Sequence, residues 1–302
     1  MARTSSGDPV AGGVLPVDKP AGPTSHDAVA AVRRALRTRQ VGHTGTLDPF
    51  ASGLLLVCVG PATRLAEYLT GMPKTYLATM RLGVATDTDD LTGDMIASSD
   101  DWRSISREQV EAALATQVGT IQQLPPLYSA KKVAGERMYA AARRGEEVER
   151  TPSAVTIYTI RLTSFDLPDV EFEVECGAGT YIRAIARDVG DALGVGGHLR
   201  TLRRTAVGPH SVDGAVPLSE LGDAERVAAA MLAPLEAVAQ MPRVVVDEAG
   251  LALLRHGRAV PASPETPSGA AVALASEGGE LLAVGERHGD VVRPRKVFIP
   301  TA

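Results

Sequence analysis

The chain has few aromatic residues and few cysteines for its length. Of its 302 residues, 4% are Phe, Trp or Tyr, and the cysteines are Cys58 and Cys176. Both cysteines lie in apolar or alternating runs typical of buried strands, which argues against a disulfide framework or a zinc site. A reduced, cytoplasmic setting fits this usage. No apolar stretch approaches the roughly 20 residues that a membrane span needs.

The N-terminal segment lacks the apolar core of a signal peptide. We expect residues 1–13 to be a disordered lead-in. The net charge of -5 by itself argues against a nucleic-acid partner, but binding depends on local patches. Five groups of basic residues, each by itself typical of a solvated helix face, together favour a polyanionic partner. They are Arg33, Arg34, Arg37 and Arg39; Lys131 and Lys132; Arg143 and Arg144; Arg200, Arg203 and Arg204; and Arg293, Arg295 and Lys296.

Apolar periodicity predicts strands and helices that mix without a regular β-α-β repeat, which favours an α+β fold. We expect strands at residues 14–16, 54–59, 76–82, 154–162 and 170–176. We expect helices from Thr24 or Ser25, over 61–69, from a capping box of Ser106 and Gln109 to about residue 116, and after Thr180. The pattern resets near residue 240, so we predict one domain over 14–240 and a small, mostly β domain over 241–302.

Residues 122–152 are rich in Pro, Lys, Arg and Gly, with a short helical pattern only at 137–144. Loops this long in compact domains are usually functional or disordered. We expect this excursion to fold over a substrate.

Asp48 lies between a loop rich in Gly and Thr and a buried strand. Pro49 biases Asp48 towards an extended backbone, which suits a carboxylate that points at a ligand. The alternative is a turn aspartate bonded to its own backbone, and the local sequence alone favours that alternative. His43 is likewise a base, a substrate contact or an ordinary loop histidine. The loop lacks the P-loop pattern of nucleotide triphosphatases.

Arg183 follows Thr180, the predicted cap, and so lies in the first turn of a helix. A cation there opposes the helix dipole by about 0.3–1 kcal/mol, and we expect a buried carboxylate partner to compensate. Arg187, one turn later, suits a surface charge. Tyr76 and Tyr181 are core aromatics or platforms for stacked bases.

The four aspartates of residues 87–94 lack the spacing of a calcium loop. This pattern predicts a solvated acidic loop.

Five segments resemble motifs of the bacterial TruB family, whose members form pseudouridine at position 55 of tRNA. They are residues 17–27, 42–55, 74–78, 125–130 and 179–183, they follow the family's order, and the motifs span most of residues 14–208. The C-terminal unit is similar to the family's small PUA-like RNA-binding domain. The resemblance implies a mixed, largely antiparallel sheet flanked by helices and loops, the pseudouridine synthase fold.

The resemblance also implies roles for single residues. Asp48 falls on the nucleophile, Arg183 on the arginine that pairs with it, and Tyr76 on the tyrosine that stacks on the flipped uracil. The residues that fall on nucleotide or substrate contacts are His43, Tyr181, Leu202, Gly42 and Thr44. We group Lys19 with them, as part of a segment that with Pro20 packs near the catalytic loop.

The implied reaction is redox-neutral and transfers nothing to a third molecule, so we expect no cofactor and no metal. The expected partner is the T-arm stem-loop of tRNA, bound by a monomer without a guide RNA or a membrane. One alternative is an RNA-binding or RNA-folding protein whose main task is not catalysis. Another is a guide-dependent ribosomal-RNA pseudouridylase.

Overall fold

The computed structural model describes residues 12–128, 132–133, 136–137 and 150–299, the two short pieces by their backbone alone. Its strands are β1 (Gly13–Lys19), β2 (Val41–His43), β3 (Ser52–Val59), β4 (Lys74–Leu82), β5 (Val84–Thr86), β6 (Met95–Ser98), β7 (Gly119–Gln123), β8 (Lys132–Val133), β9 (Glu136–Arg137), β10 (Ser153–Asp166), β11 (Asp169–Cys176), β12 (Gly197–Val207), β13 (His210–Ser211), β14 (Val216–Pro217), β15 (Arg243–Val245), β16 (Val260–Pro261), β17 (Ala271–Ala275), β18 (Leu281–His288) and β19 (Val291–Val297).

The α-helices of the described residues flank these strands. They are α1 (Ser25–Ala35), α2 (Ala66–Thr70), α3 (Arg107–Ala115), α4 (Ile182–Ala192), α5 (Ala224–Ala230), α6 (Pro234–Ala237) and α7 (Glu248–Arg255). Short 3₁₀ helices lie at Gly60–Leu65, Asp101–Ser104, Val212–Gly214 and Leu218–Glu220. Among the described residues, no helix is long and apolar enough to cross a membrane.

The larger sheet has the order β14-β1-β3-β12-β4-β11-β10-β7, with β2 beside β3 and β13 beside β12. The β1–β14 and β3–β12 pairs are parallel and the other pairs are antiparallel. The prediction of a mixed, largely antiparallel sheet is therefore confirmed.

β3 is apolar throughout because the core covers both of its faces. Successive side chains of a strand point to opposite sides. Leu54, Leu56 and Cys58 accordingly join one apolar cluster, while Leu55 and Val57 join another on the opposite face.

β11 instead alternates, with Val170, Phe172 and Val174 buried and acidic residues between them partly exposed. α4 covers the buried face through Ile182, Ile185 and Val189, as its 3.6-residue periodicity predicts. This packing fixes the first turn of α4 over the centre of the sheet.

Two of the predicted helix starts are confirmed, and one is wrong. Thr24 caps α1, and Ser106 with Gln109 forms the capping box of α3. Thr180 does not cap α4: its hydroxyl donates to Gly177 O at 3.0 Å, and Tyr181 occupies the cap position without a side-chain bond.

A second sheet, with the order β15-β17-β18-β19-β16, follows after residue 240. Ala273, Leu281 and Val284 of this sheet share an apolar cluster with Val14 and Leu54 of the larger one. The C-terminal β-rich unit is thus present and packs on the rest of the chain. Its assignment as a PUA-like RNA-binding domain stays a prediction.

The ends of two predicted segments need correction. The lead-in stops earlier than residue 13, because Gly13 already pairs with Val59; residues 1–11 lie outside the described residues. The excursion starts after Gln123, because residues 122 and 123 pair with β10. Of the predicted helix over 137–144, residue 137 belongs to β9, and the remainder lies outside the described residues.

Candidate active site

The loop that carries Asp48 connects β2 to β3 and is anchored to α1. Leu47 is buried, its N–H donates to Ser25 Oγ at 2.9 Å, and Ser25 Oγ donates to Leu47 O at 3.1 Å. Ala51 N donates to Asp48 O at 3.1 Å. These bonds fix the backbone on both sides of Asp48, while its side chain stays 36% exposed.

Lys19 supports this loop from below and has no access to a substrate. Its side chain is fully buried, and Nζ donates to Ala51 O at 2.6 Å, Pro20 O at 2.8 Å and Pro23 O at 2.9 Å. Grouping Lys19 with the substrate contacts is therefore wrong, whereas its place beneath the Asp48 loop agrees with the expectation. Burial lowers the pKa of Lys19 to about 8.

The expected carboxylate partner of Arg183 is Asp48. Arg183 Nε lies 3.0 Å from Asp48 Oδ2, and the arginine side chain is only 6% exposed. Arg183 Nη2 also donates to Tyr128 O at 3.0 Å, where the excursion begins. The position of Arg183 in the first helical turn predicted a carboxylate partner, and the family resemblance implied that this partner is Asp48.

Asp90 is a second partner of Arg183 that the sequence did not reveal. Its Oδ2 lies 3.2 Å from Arg183 Nη1, and its Oδ1 accepts from Thr92 N at 2.9 Å and Thr88 Oγ1 at 2.8 Å. The loop was predicted to be solvated, but Asp89 and Asp90 are buried. The reason for the error is that their partners lie on α4, far away in the sequence.

Arg187 is also more than the predicted surface charge. Its Nη1 lies 2.9 Å from Asp89 Oδ2, and Nη2 donates to Leu124 O at 3.0 Å. Arg183 and Arg187, one turn apart on α4, therefore both bind the acidic loop and the start of the excursion.

Burial has the largest effect on the pKa of Asp48, and it raises that pKa. The positive charges of Arg183 and, more weakly, Lys19 lower the pKa, whereas the negative charge of Asp90 raises it further. Charge pairing with Arg183 alone would lower the pKa. The surroundings therefore make the carboxylate more basic than a free aspartate while Arg183 holds it in place.

Asp48 opens into a cavity of about 230 Å³. The cavity lies between the catalytic loop, β4, the turn before α4 and β12. Its lining consists of Gly45, Thr46, Leu47, Asp48, Thr70, Lys74, Tyr76, Gly177, Ala178, Gly179, Thr180, Tyr181, Ile182, Arg183, Leu202 and Arg204. Asp48, Arg183, Tyr76, Tyr181 and Leu202 were all candidates from the sequence.

Tyr76 forms one wall of the cavity and is 8% exposed. Burial raises its pKa, and the nearby Arg204 opposes the rise. Arg204 is buried and donates to Leu54 O at 2.7 Å and to Gly45 O at 3.1 Å. Lys74 also lines the cavity and donates to Thr70 O and Met72 O at 2.5 and 2.6 Å; burial lowers its pKa to about 8.

Tyr181, which lines the cavity, is held by a residue that the sequence did not single out. Gln123 Oε1 accepts from Tyr181 N at 2.8 Å, and Gln123 Nε2 donates to Tyr181 O at 3.0 Å. This pair of bonds fixes the backbone of the residue at which α4 begins. A glutamine at the end of a strand gives no local signal of such a contact.

Three of the other candidates lie beside the cavity and not in its wall. His43 packs edge-on against His26 with ring centroids 5.6 Å apart, and its Nδ1 accepts from Gly45 N at 3.3 Å. Burial lowers the pKa of His43. Thr44 is buried, and Gly42 pairs with Cys58 in the sheet. Thr44 therefore has no surface for a substrate, which corrects its grouping.

One predicted basic group is not a free cationic patch. Arg200 pairs with Asp169, and Arg203 Nη2 lies 2.8 Å from Asp18 Oδ2. Arg204 is buried at the cavity. Alternation along β12 sends these side chains to different partners, so their closeness in sequence was misleading.

Comparison with known proteins agrees with this architecture. The family model of the TruB family pseudouridylate synthase N-terminal domain matches residues 33–182, and that of the tRNA pseudouridylate synthase B C-terminal domain matches residues 183–240. A tRNA pseudouridine synthase B of Burkholderia mallei (strain NCTC 10247) is 43% identical over 299 residues, 96% of this chain and 98% of the relative. One of Paenarthrobacter aurescens (strain TC1) is 43% identical over 300 residues, 95% of each.

Solved structures with the same architecture include a Cbf5–Nop10–Gar1 complex, with a TM-score of 0.76 and 31% identity over 96% of this chain and 85% of the matched one. An H/ACA RNP bound to a substrate RNA containing 2'-deoxyuridine gives 0.74 and 28%, over 96% and 86%. The fold is that of the pseudouridine synthases. Within that class, the chain belongs to the TruB family.

Proposed function

We propose that this chain converts uridine to pseudouridine at position 55 in the T loop of tRNA, with Asp48 as the nucleophile. The curated relatives that match nearly their whole length are named tRNA pseudouridine synthase B. The observation that carries the proposal is the ion pair of Asp48 and Arg183, 3.0 Å apart, at a cavity that Tyr76 also lines.

The reaction breaks the bond between N1 of uracil and C1' of ribose, turns the base, and joins C5 to C1'. The proton on C5 leaves and N1 gains one, so the change is an isomerisation without an oxidant or a co-substrate. Asp48 acts as an ionised nucleophile, and Arg183 favours that state and holds Oδ2. No step of this scheme needs a cofactor or a metal.

The base enters the cavity after it leaves its stack in the RNA. Unstacking costs a few kcal/mol, and stacking on Tyr76 returns about 1–3 kcal/mol. The volume of about 230 Å³ is below the roughly 300–1,000 Å³ of sites for drug-sized ligands. A cavity of this size suits a single flipped pyrimidine.

The remaining candidates have supporting roles in this proposal. Tyr181 and Leu202 contact the flipped nucleotide from the cavity wall, and His43 contacts it from the rim. Gly42 contacts the substrate through its backbone. The C-terminal β-rich unit contributes RNA binding as a PUA-like domain, and the chain acts as a cytoplasmic monomer without a guide RNA.

The Asp48→Asn variant tests the chemical role. It keeps the shape of the side chain but removes the nucleophilic charge, so we expect no pseudouridine in a T-arm stem-loop while the stem-loop still binds. Exposed Asp166 provides the matched control, and Asp166→Asn should retain the parental rate. Full activity of Asp48→Asn would falsify the nucleophile assignment.

An activity assay of the purified chain alone tests the guide-dependent alternative. Both solved structures cited above are of multi-component complexes. We expect the isolated chain to modify a minimal stem-loop without added RNA or protein. A requirement for a second component would contradict the proposal. A tRNA-folding role would be independent of catalysis. Equal refolding of tRNA by Asp48→Asn and by the parent would show such a role.

A further inference from the structure

Arg187 does not line the cavity, but each nitrogen of its guanidinium group has a partner. Its Nη1 lies 2.9 Å from Asp89 Oδ2, Nε donates to Asp188 Oδ1 at 2.8 Å, and Nη2 donates to Leu124 O at 3.0 Å. The side chains of Arg187 and Asp89 are only 16% and 11% exposed. A nearly buried ion pair one helical turn from the proposed catalytic arginine calls for an explanation.

Carboxylates outnumber the guanidinium groups that α4 supplies to this region. Asp48, Asp89 and Asp90 share Arg183 and Arg187. Burial raises the pKa of Asp89, and the opposing positive charges are, in order, Arg187, Arg183 and Arg150. Asp89 is therefore within electrostatic reach of both arginines of α4. A buried carboxylate that loses its cation must take up a proton or find another cation.

We propose that Arg187 is a positioning residue whose charge holds Asp89 away from Arg183, so that Arg183 stays paired with Asp48 and Asp90. This inference rests on the proposed function of Asp48. Asp89 is adjacent to Asp90 in the chain, and Arg183 Nη1 already donates to Thr88 O at 3.0 Å. Without Arg187, Asp89 competes with Asp48 for the donors of Arg183 and displaces the nucleophile.

The test is a rescue experiment on single-turnover pseudouridine formation in a T-arm stem-loop. Arg187→Gln should lower the rate about tenfold, while stem-loop affinity changes less than about twofold. Adding Asp89→Asn to that variant should restore most of the rate, because the competing charge is gone. Asparagine suits this position, since Asp89 has a φ of +59°, a region that Asn adopts readily.

A purely structural ion pair also allows Asp89→Asn to relieve an unpaired buried charge, but in that case the rate of each variant follows its unfolding temperature. The positioning role instead predicts an Arg187→Gln variant that is slow although it is fully folded at the assay temperature. A double variant as slow as Arg187→Gln, or a parental rate in Arg187→Gln, overturns the inference.

Arg187→Lys provides a second test, because it keeps the charge but not the fork that reaches Leu124 O. It should remain near the parental rate, and a tenfold loss there would also overturn the inference.

The control is Arg161→Gln, which removes an exposed arginine from an ion pair with Glu173 on the outer strands. It should leave rate and affinity unchanged. Thermal unfolding of each variant confirms that it is folded at the assay temperature. The parental chain and Asp48→Asn test the proposed function separately, so an inactive parent rejects that function and a failed rescue rejects only the role of Arg187.

Discussion

Arg183 Nε lies 3.0 Å from Asp48 Oδ2, while Nη1 of the same guanidinium lies 3.2 Å from Asp90 Oδ2. One planar cation therefore joins the loop of Asp48 to the acidic loop. A third contact, from Nη2 to Tyr128 O at 3.0 Å, ties the start of the excursion to the same group. The position of Asp48 thus depends on three segments that Arg183 holds together.

Replacing Arg183 by lysine should remove most of the activity although the charge remains. A single ammonium group lacks the planar fork of arginine and cannot reach Asp48, Asp90 and Tyr128 O together. A displacement of about 1 Å at a reacting group can cost on the order of 100-fold in rate, and we expect a loss of that order in single-turnover assays. Arg81→Lys, at a partly exposed ion pair with Asp169, is the control. Equal rates in both variants would show that the fork is dispensable.

The reaction should fail in acid at a pH above the titration of an ordinary aspartate. Burial raises the pKa of Asp48 above its usual 3.8, Arg183 and Lys19 oppose the rise, and Asp90 adds to it. A carboxyl with a raised pKa gains its proton sooner as the pH falls, so the nucleophile is lost through a midpoint above 3.8. Single-turnover rates against pH measure this midpoint. Stem-loop binding and circular dichroism over the same range show whether binding or folding fails instead, and a midpoint below 3.8 contradicts the prediction.

Tyr76 should contribute to binding through its ring and not through its hydroxyl. We expect Tyr76→Phe to bind a T-arm stem-loop nearly as well as the parent, and Tyr76→Leu to lose about 1–3 kcal/mol, the value of one base–aromatic stack. Measuring both in the Asp48→Asn background separates binding from turnover. Tyr158→Leu, at a 48% exposed position on β10, is the control. Equal affinities of the Phe and Leu variants would exclude stacking.

Local patterns predicted the frame of the site. Alternation on β11, the cap residue of α1, the capping box of α3 and the apolar run of β3 each depend on neighbours in sequence, and all are present. The expectation that Arg183 has a carboxylate partner also has a local origin, whereas the family resemblance named Asp48. A cation in the first helical turn is unfavourable there, so a partner had to exist, although the local sequence could not say which carboxylate it was.

The remainder of the site depends on contacts between segments far apart in sequence. Asp90 lies 93 positions from Arg183, and Gln123 lies 58 from Tyr181. An isolated run of aspartates has the composition of a solvated loop, and only the tertiary fold brings the arginines of α4 against it. Arg204 was grouped with exposed bases because the register of β12, which buries it, is set by pairing with β4.

Lys19 should be a stability residue whose loss also disturbs the catalytic loop. Its Nζ donates to the carbonyls of Ala51, Pro20 and Pro23 at 2.6–2.9 Å. Lys19→Met keeps the length of the side chain but leaves these buried acceptors without a donor, and an unsatisfied buried group costs about 1–3 kcal/mol.

We expect a loss of at least that size in the free energy of unfolding, measured by urea denaturation, together with a slower reaction at saturating stem-loop. Lys296→Met is the matched control, because Lys296 pairs with Glu67 where both side chains are at least 36% exposed, and such pairs contribute only about 0–1 kcal/mol. If both variants unfold at the same urea concentration as the parent, the buried ammonium group does not hold the loop.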